Sequence, residues 1–129
     1  MGYFTYFNGV LSFDKQPTKE LVDDINMFAN KRHCDPNNTN DTLDYAPSLW
    51  NHWKCTIWNG QWALICEEGK AYHYMDWLPI VIERFLEPHG LKVSGHIDWY
   101  GDDSDDRGYI KVEDNAISIY DAVISYEKR

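Results

Sequence analysis

The densest group of chemically capable side chains is the run Asp102-Asp103-Ser104-Asp105-Asp106. Carboxylates packed this closely can hold a divalent cation, because Ca²⁺ takes several oxygen ligands at once. The spacing does not match an EF-hand loop. With Asp102, Ser104 and Asp106 in the first three ligand positions, Arg107 occupies the site that needs glycine. With Asp103 first, Arg107 falls on a ligand position. A solvated turn between two strands accommodates the run equally well. So does an acidic patch that meets a basic partner surface. Seven acidic and two basic residues lie between Asp98 and Asp114, a net −5 of the chain's −9.

Aromatic residues form the second group. Trp50, Trp53, Trp58 and Trp62 concentrate in one stretch, and Trp77, Trp99 and Tyr100 follow. Trp and Tyr anchor protein interfaces and line ligand pockets. They also stabilise small sheets as cross-strand pairs. A core of this size cannot take them all, so Trp58 and Trp62, beside a turn, are expected to be partly exposed. The expected partner-contact residues are therefore Asp98, Asp102, Asp103, Asp105 and Asp106, together with Tyr100, Trp58 and Trp62.

Histidine and cysteine offer less. His33, His52, His73, His89 and His96 lack metal-ligand spacing, and His33 and Cys34 are adjacent, so their side chains diverge on a regular element. Cys55 and Cys66 fall in phase with apolar neighbours and read as small buried hydrophobes. His96 and Asp98 share a strand face, an acid/base pair with no third partner. No phosphate-binding glycine loop or serine nucleophile elbow is present. The expectation is a non-catalytic chain without cofactor or metal.

These side chains must be held by local elements. Tyr3–Phe13 reads as a strand with a bend at Asn8-Gly9. Leu21, Ile25 and Phe28 give helical spacing over Thr18–Lys31. Cys34–Pro47 reads as a loop by composition. Trp50–Cys66 reads as a hairpin, since Asn59-Gly60 suits the positive φ angles of a type I′ turn. A second helix runs from Tyr74 or Asp76 to Glu87, with Asp76 as a cap, and Pro88 and Gly90 end it. Three strands follow. In the first, Leu91, Val93, Ile97 and Trp99 alternate with Lys92, Ser94, His96 and Asp98. The last runs from Ala116 to Tyr126. The predicted class is α+β: order β-α-β-β-α-β-β-β, with an antiparallel sheet carrying two helices on one face.

The 129 residues suit one domain. An acidic balance disfavours direct nucleic-acid binding, which needs clustered Lys and Arg. No apolar run approaches the ~20 residues that span a bilayer. The N-terminal residues do not form a secretory signal, and three cysteines without a CxxC pair fit a reducing cytoplasm. A partner would be a protein or a small anionic signal, and a homodimer through Trp-rich edge strands stays open.

Several stretches together resemble a family of small uncharacterised proteins encoded by bacteriophages, prophages and other mobile elements. They are Met1-Gly2-Tyr3-Phe4-Thr5, Pro47-Ser48-Leu49-Trp50, Tyr72-x-Tyr74-x-x-Trp77-Leu78 and Phe85-Leu86-x-Pro88-x-Gly90. Gly95-x-Ile97-x-Trp99-x-Gly101 and Asp105-Asp106-x-Gly108-x-Ile110-x-Val112-x-Asp114-Asn115 complete the pattern. The resemblance covers the N-terminus and most of Pro47–Asn115, and it carries no activity over. It implies a bacterial cytoplasm and a phage-like origin. The expected function is therefore an acidic binding protein, an anti-defence (anti-CRISPR-like) inhibitor of a bacterial host protein, with nucleic-acid-handling proteins among the candidates. The alternatives are a nucleotide-signal binder and a metal-dependent hydrolase built on the Asp-rich turn.

Overall fold

The computed structural model describes residues 2–33 and 46–129. Most of the expected Cys34–Pro47 loop, together with Cys34 itself, lies outside the described residues. Six strands form one antiparallel sheet: β1 Thr5–Phe13, β2 Trp53–Trp58, β3 Gln61–Cys66, β4 Val93–Gly101, β5 Arg107–Glu113 and β6 Ala116–Asp121. Their spatial order is β2-β3-β1-β4-β5-β6. Two helices, α1 Lys19–Ala29 and α2 Tyr74–Val81, interrupt the strands in the chain order that the sequence predicts.

The class follows from strand parity. Leu11 of β1 stands opposite Leu64 of β3, Gly9 opposite Ile97 of β4, and Ile97 opposite Ile110 of β5. This one face, with Trp53 and Cys55 of β2, joins Leu21, Val22, Ile25 and Phe28 of α1 in a single buried cluster. Trp77, Leu78 and Val81 of α2 belong to the same cluster. Both helices lean on the β2 side of the sheet. The β6 side is less covered, and Ile119 there is exposed. The three fully buried Trp side chains each direct the indole N–H to an acceptor, as a buried indole requires: Trp53 to the Tyr74 carbonyl, Trp77 to Ser48 Oγ and Trp99 to Asp106 Oδ1.

Local details depart from expectation in four places. α1 is shorter: Thr18 caps it, accepting from Leu21 N at 3.2 Å, and Asn30 closes it. α2 starts at Tyr74, after His73 in the left-handed region, so Asp76 lies inside the first turn and is not the cap. Asp76 Oδ2 instead sits 3.1 Å from His73 Nδ1. Beyond Val81 the helix widens into a π turn, Ile82–Leu86, and then tightens into a 3₁₀ turn, Glu87–His89. The widened turn keeps Ile82 and Leu86 buried while Phe85 packs edge-on against Phe28. Finally, β6 stops at Asp121 rather than Tyr126. Its neighbour β5 begins at Arg107, whose carbonyl accepts from Ala122 N, and beyond that point no strand among the described residues pairs with it.

The hairpin forms as expected. Asn59 (φ 50°) and Gly60 (φ 79°) make the two-residue turn between Trp58 and Gln61. Asp114 (φ 48°) and Asn115 (φ 70°) repeat the device between β5 and β6. Asn115 also ties that turn to the start of β4, accepting from Val93 N at 2.8 Å and donating to the Leu91 carbonyl at 2.9 Å.

Candidate functional site

The Asp-rich turn joins β4 to β5, and its four carboxylates divide into two kinds. Asp106 is partly buried. Its Oδ2 accepts from Tyr3 Oη at 2.6 Å and its Oδ1 from Trp99 Nε1 at 3.0 Å. Asp102 Oδ2 accepts from Phe4 N at 2.8 Å. Tyr3 Oη also accepts from Asp103 N at 3.1 Å. Asp102 and Asp106 therefore fasten the N-terminal segment and a core tryptophan to the turn. The hydrogen bond to Asp106 holds the Tyr3 hydroxyl above its ordinary pKa. Asp103 and Asp105 face solvent. Among the described residues no three His, Cys, Asp or Glu side chains are grouped to hold a metal ion.

The turn borders the sheet face that neither α1 nor α2 covers. Parity brings tyrosines to that face, because Tyr6, Tyr100, Tyr109 and Tyr120 sit in the polar phase of their strands, whereas Phe7, Phe13 and Trp99 sit in the buried phase. Tyr6 and Tyr100 stack at 5.2 Å between ring centroids, and Phe4 adjoins Tyr6 at 4.9 Å. Beside them His96 stacks on Tyr109 at 4.4 Å, and Tyr109 on Tyr120 at 4.6 Å. His96 Nε2 lies 2.9 Å from Asp98 Oδ1, so the anticipated pair does touch. Tyr100 is 49% exposed. A concavity of about 430 Å³ opens here, lined by Asp98, Tyr100, Arg107, Tyr109, Tyr120 and Ala122 among others. Arg107 Nε donates to the Ser104 carbonyl at 3.0 Å, which anchors this cation to the acidic turn.

Of the expected contact residues, Asp98, Tyr100, Asp103 and Asp105 come together at this end of the sheet. Trp58 and Trp62 do not join them. Trp58 is 53% exposed on the β2 edge, and Trp62 is half-buried on the helix-bearing face. β3 meets β1 at Ser12, whereas the acidic turn adjoins Thr5, so the two tryptophans lie at the opposite end. Sequence reading missed Phe4, Tyr6, Tyr109 and Tyr120 as one group. The signal was their shared polar-phase parity, but only the strand order makes them neighbours.

Among the described residues, four further reactive groups, Cys55, Cys66, His33 and Tyr74, are wholly or partly buried. Burial pushes the Cys55 thiol up to about 12 and the Cys66 thiol well above its ordinary value. Neither is a thiolate at neutral pH. His33 is fully buried between the rings of Phe28 and Trp77, with Nε2 3.0 Å from the Phe28 carbonyl. Burial likewise raises the Tyr74 hydroxyl. Among the described residues, no helix is long and apolar enough to cross a membrane.

Compared with known proteins, the chain matches no family model, no curated protein and no solved structure.

Proposed function

We propose that this chain is a non-catalytic binding domain whose open sheet face receives a basic protein surface. The observation that carries the reading is the juxtaposition of the exposed Tyr100 ring, stacked on the half-buried Tyr6, with the solvent-facing carboxylates of Asp98, Asp103 and Asp105. A guanidinium can stack on a tyrosine face while its N–H groups reach a carboxylate, so this surface suits a partner presenting arginines. Aromatic sheet faces also stack nucleobases. Here the bordering carboxylates would repel the phosphates, which favours protein over nucleic acid. The resemblance to phage and mobile-element proteins supports a bacterial host protein as target. An acidic domain that fills a basic groove would block a nucleic-acid-handling enzyme, an anti-defence role in the host cytoplasm.

The test is capture from bacterial lysate by the immobilised protein, with the retained proteins identified. Basic proteins should be retained and should elute as salt rises. The triple variant Asp98→Asn/Asp103→Asn/Asp105→Asn, and separately Tyr100→Ser, should lose them while keeping the wild-type circular dichroism. Retention of the same proteins by both variants sinks the reading.

One observation favours a second reading. The concavity is lined by a cation, Arg107, as well as by Tyr100, Tyr109 and Tyr120, the elements needed to hold a nucleotide's phosphate and base. Asp98 and Asp121 line the same space and oppose an anion there. Mass spectrometry of material released from the purified protein decides: a stoichiometric nucleotide supports this alternative.

A further inference from the structure

The two edges of the sheet are treated differently. At β2, Asn26 of α1 meets the backbone of Cys55 in both directions: Oδ1 accepts from Cys55 N at 2.8 Å and Nδ2 donates to Cys55 O at 3.3 Å. That amide occupies ladder groups that a further strand would need, one way of closing an edge. The dimer contact anticipated at Trp-rich strands is therefore obstructed at β2. At the other edge, no strand among the described residues pairs with the outer side of β6. The run Ala116–Tyr126 contains no proline, no glycine and a single charge, Asp121. Past the end of β5 it continues as Ala122–Tyr126, with Val123 93% and Tyr126 90% exposed. Edge strands are normally blunted by charge, proline or cover; this one carries no proline and no charge beyond Asp121, and no strand among the described residues covers it.

We propose that Ser118–Tyr126 pairs antiparallel with the same segment of a second copy, about a two-fold axis through Ala122. The register follows from ladder geometry. Ala122 N donates to the Arg107 carbonyl, so by alternation Tyr120 and Ser118 also turn their ladder groups toward β5. The groups of Ile119, Asp121 and Val123 then point to the free edge. Directly opposed residues of an antiparallel pair share a face, so the axis passes through a residue. An axis through Asp121 would set two carboxylates face to face, which is destabilising. An axis through Tyr120 leaves Tyr126 outside the ladder. An axis through Ala122 sets Tyr120 against Ile124, Asp121 against Val123 and Ser118 against Tyr126, with no like charges opposed. This two-fold also keeps both helix layers on one side and both tyrosine faces on the other.

Sedimentation equilibrium of the intact protein should give twice the 15.2 kDa chain mass. Association should strengthen with salt, because each copy carries −9. Val123→Pro removes an outward amide from a residue outside the sheet. It should return the protein to monomer, with the unfolding midpoint that the unaltered chain shows at dilutions where it too is monomeric. In a Cys34→Ser background, Ala122→Cys should form a disulfide-linked dimer, since opposed non-hydrogen-bonded residues stand about 4.5 Å apart at Cα. Ser104→Cys, in the acidic turn, should not. A monomer at every concentration overturns the proposal. So does a dimer that survives Val123→Pro and is not trapped by Ala122→Cys.

Discussion

Asp106 and its neighbours show how one residue type takes two roles within five positions. Asp106 receives donors from Tyr3 and Trp99, whereas Asp103 and Asp105 face solvent. Asp106→Ala should leave both donors without their acceptor and cost about 1–3 kcal/mol. Asp103→Asn and Asp105→Asn should each stay within about 0.5 kcal/mol of wild type. Urea unfolding followed by tryptophan fluorescence compares them. His52 provides a pH signature. Burial, and then the charge on Lys54, pull its pKa below the ordinary 6.5, while its Nδ1 lies 2.9 Å from the Glu67 carbonyl. Below about pH 6.5 the unfolded chain therefore takes up a proton that the native state resists, and stability falls as pH drops toward the lowered native value. In His52→Gln this contribution disappears, so the unfolding midpoint should decline less between about pH 7 and about pH 5. An identical decline in both proteins would contradict that assignment.

At the scale of elements, the sheet depends on a close approach between β1 and β4. A Cβ at Gly95 would overlap the Val10 carbonyl oxygen and press on Leu11. Gly95→Ala should therefore destabilise by about 1–3 kcal/mol or more, as overpacking does, and thermal melts would read it. Asn26→Leu tests the closed edge. It fits the helix but leaves the Cys55 amide unpaired, and it should lower stability by about 1–3 kcal/mol without changing helix content. Much at this scale was readable in the residues. Asn59-Gly60 marks its turn, and the alternation Leu91-Val93-Ile97-Trp99 marks the buried phase of β4. The start of α2 at Tyr74 was one of two readings, but its cap was not readable, because Asp76 resembles a cap in sequence while His73 takes that place, in the left-handed region, in the fold. The end of β6 was hidden too. Ala116–Tyr126 is β-prone throughout, and only the length of β5 decides how much of it finds a neighbour.

Across the whole molecule, charge and aromatic surface are arranged separately. The helices cover one face of the sheet toward β2, and the tyrosines occupy the other face beside the acidic turn. Capture of a basic partner should accordingly weaken with ionic strength, chiefly through a slower association rate. Self-association through β6 should respond in the opposite direction. Measuring both over one salt series separates the two surfaces, since a shared surface would make them move together.

The sequence by itself determined the class of the fold, the acidic turn, the two-residue turns and the buried phase of the hairpin strands and of β4, because these depend on neighbours within a few positions. The tertiary structure alone decided that two of the four turn carboxylates bind the N-terminal segment and a core indole. It also decided that Tyr6, Tyr100, Tyr109 and Tyr120 share a face, that Trp58 lies at the far end from them, and that Asn26 closes one sheet edge while no strand among the described residues pairs with the other. Each of these depends on which strands lie side by side, and that order arises from burying one common face against two helices rather than from any local signal.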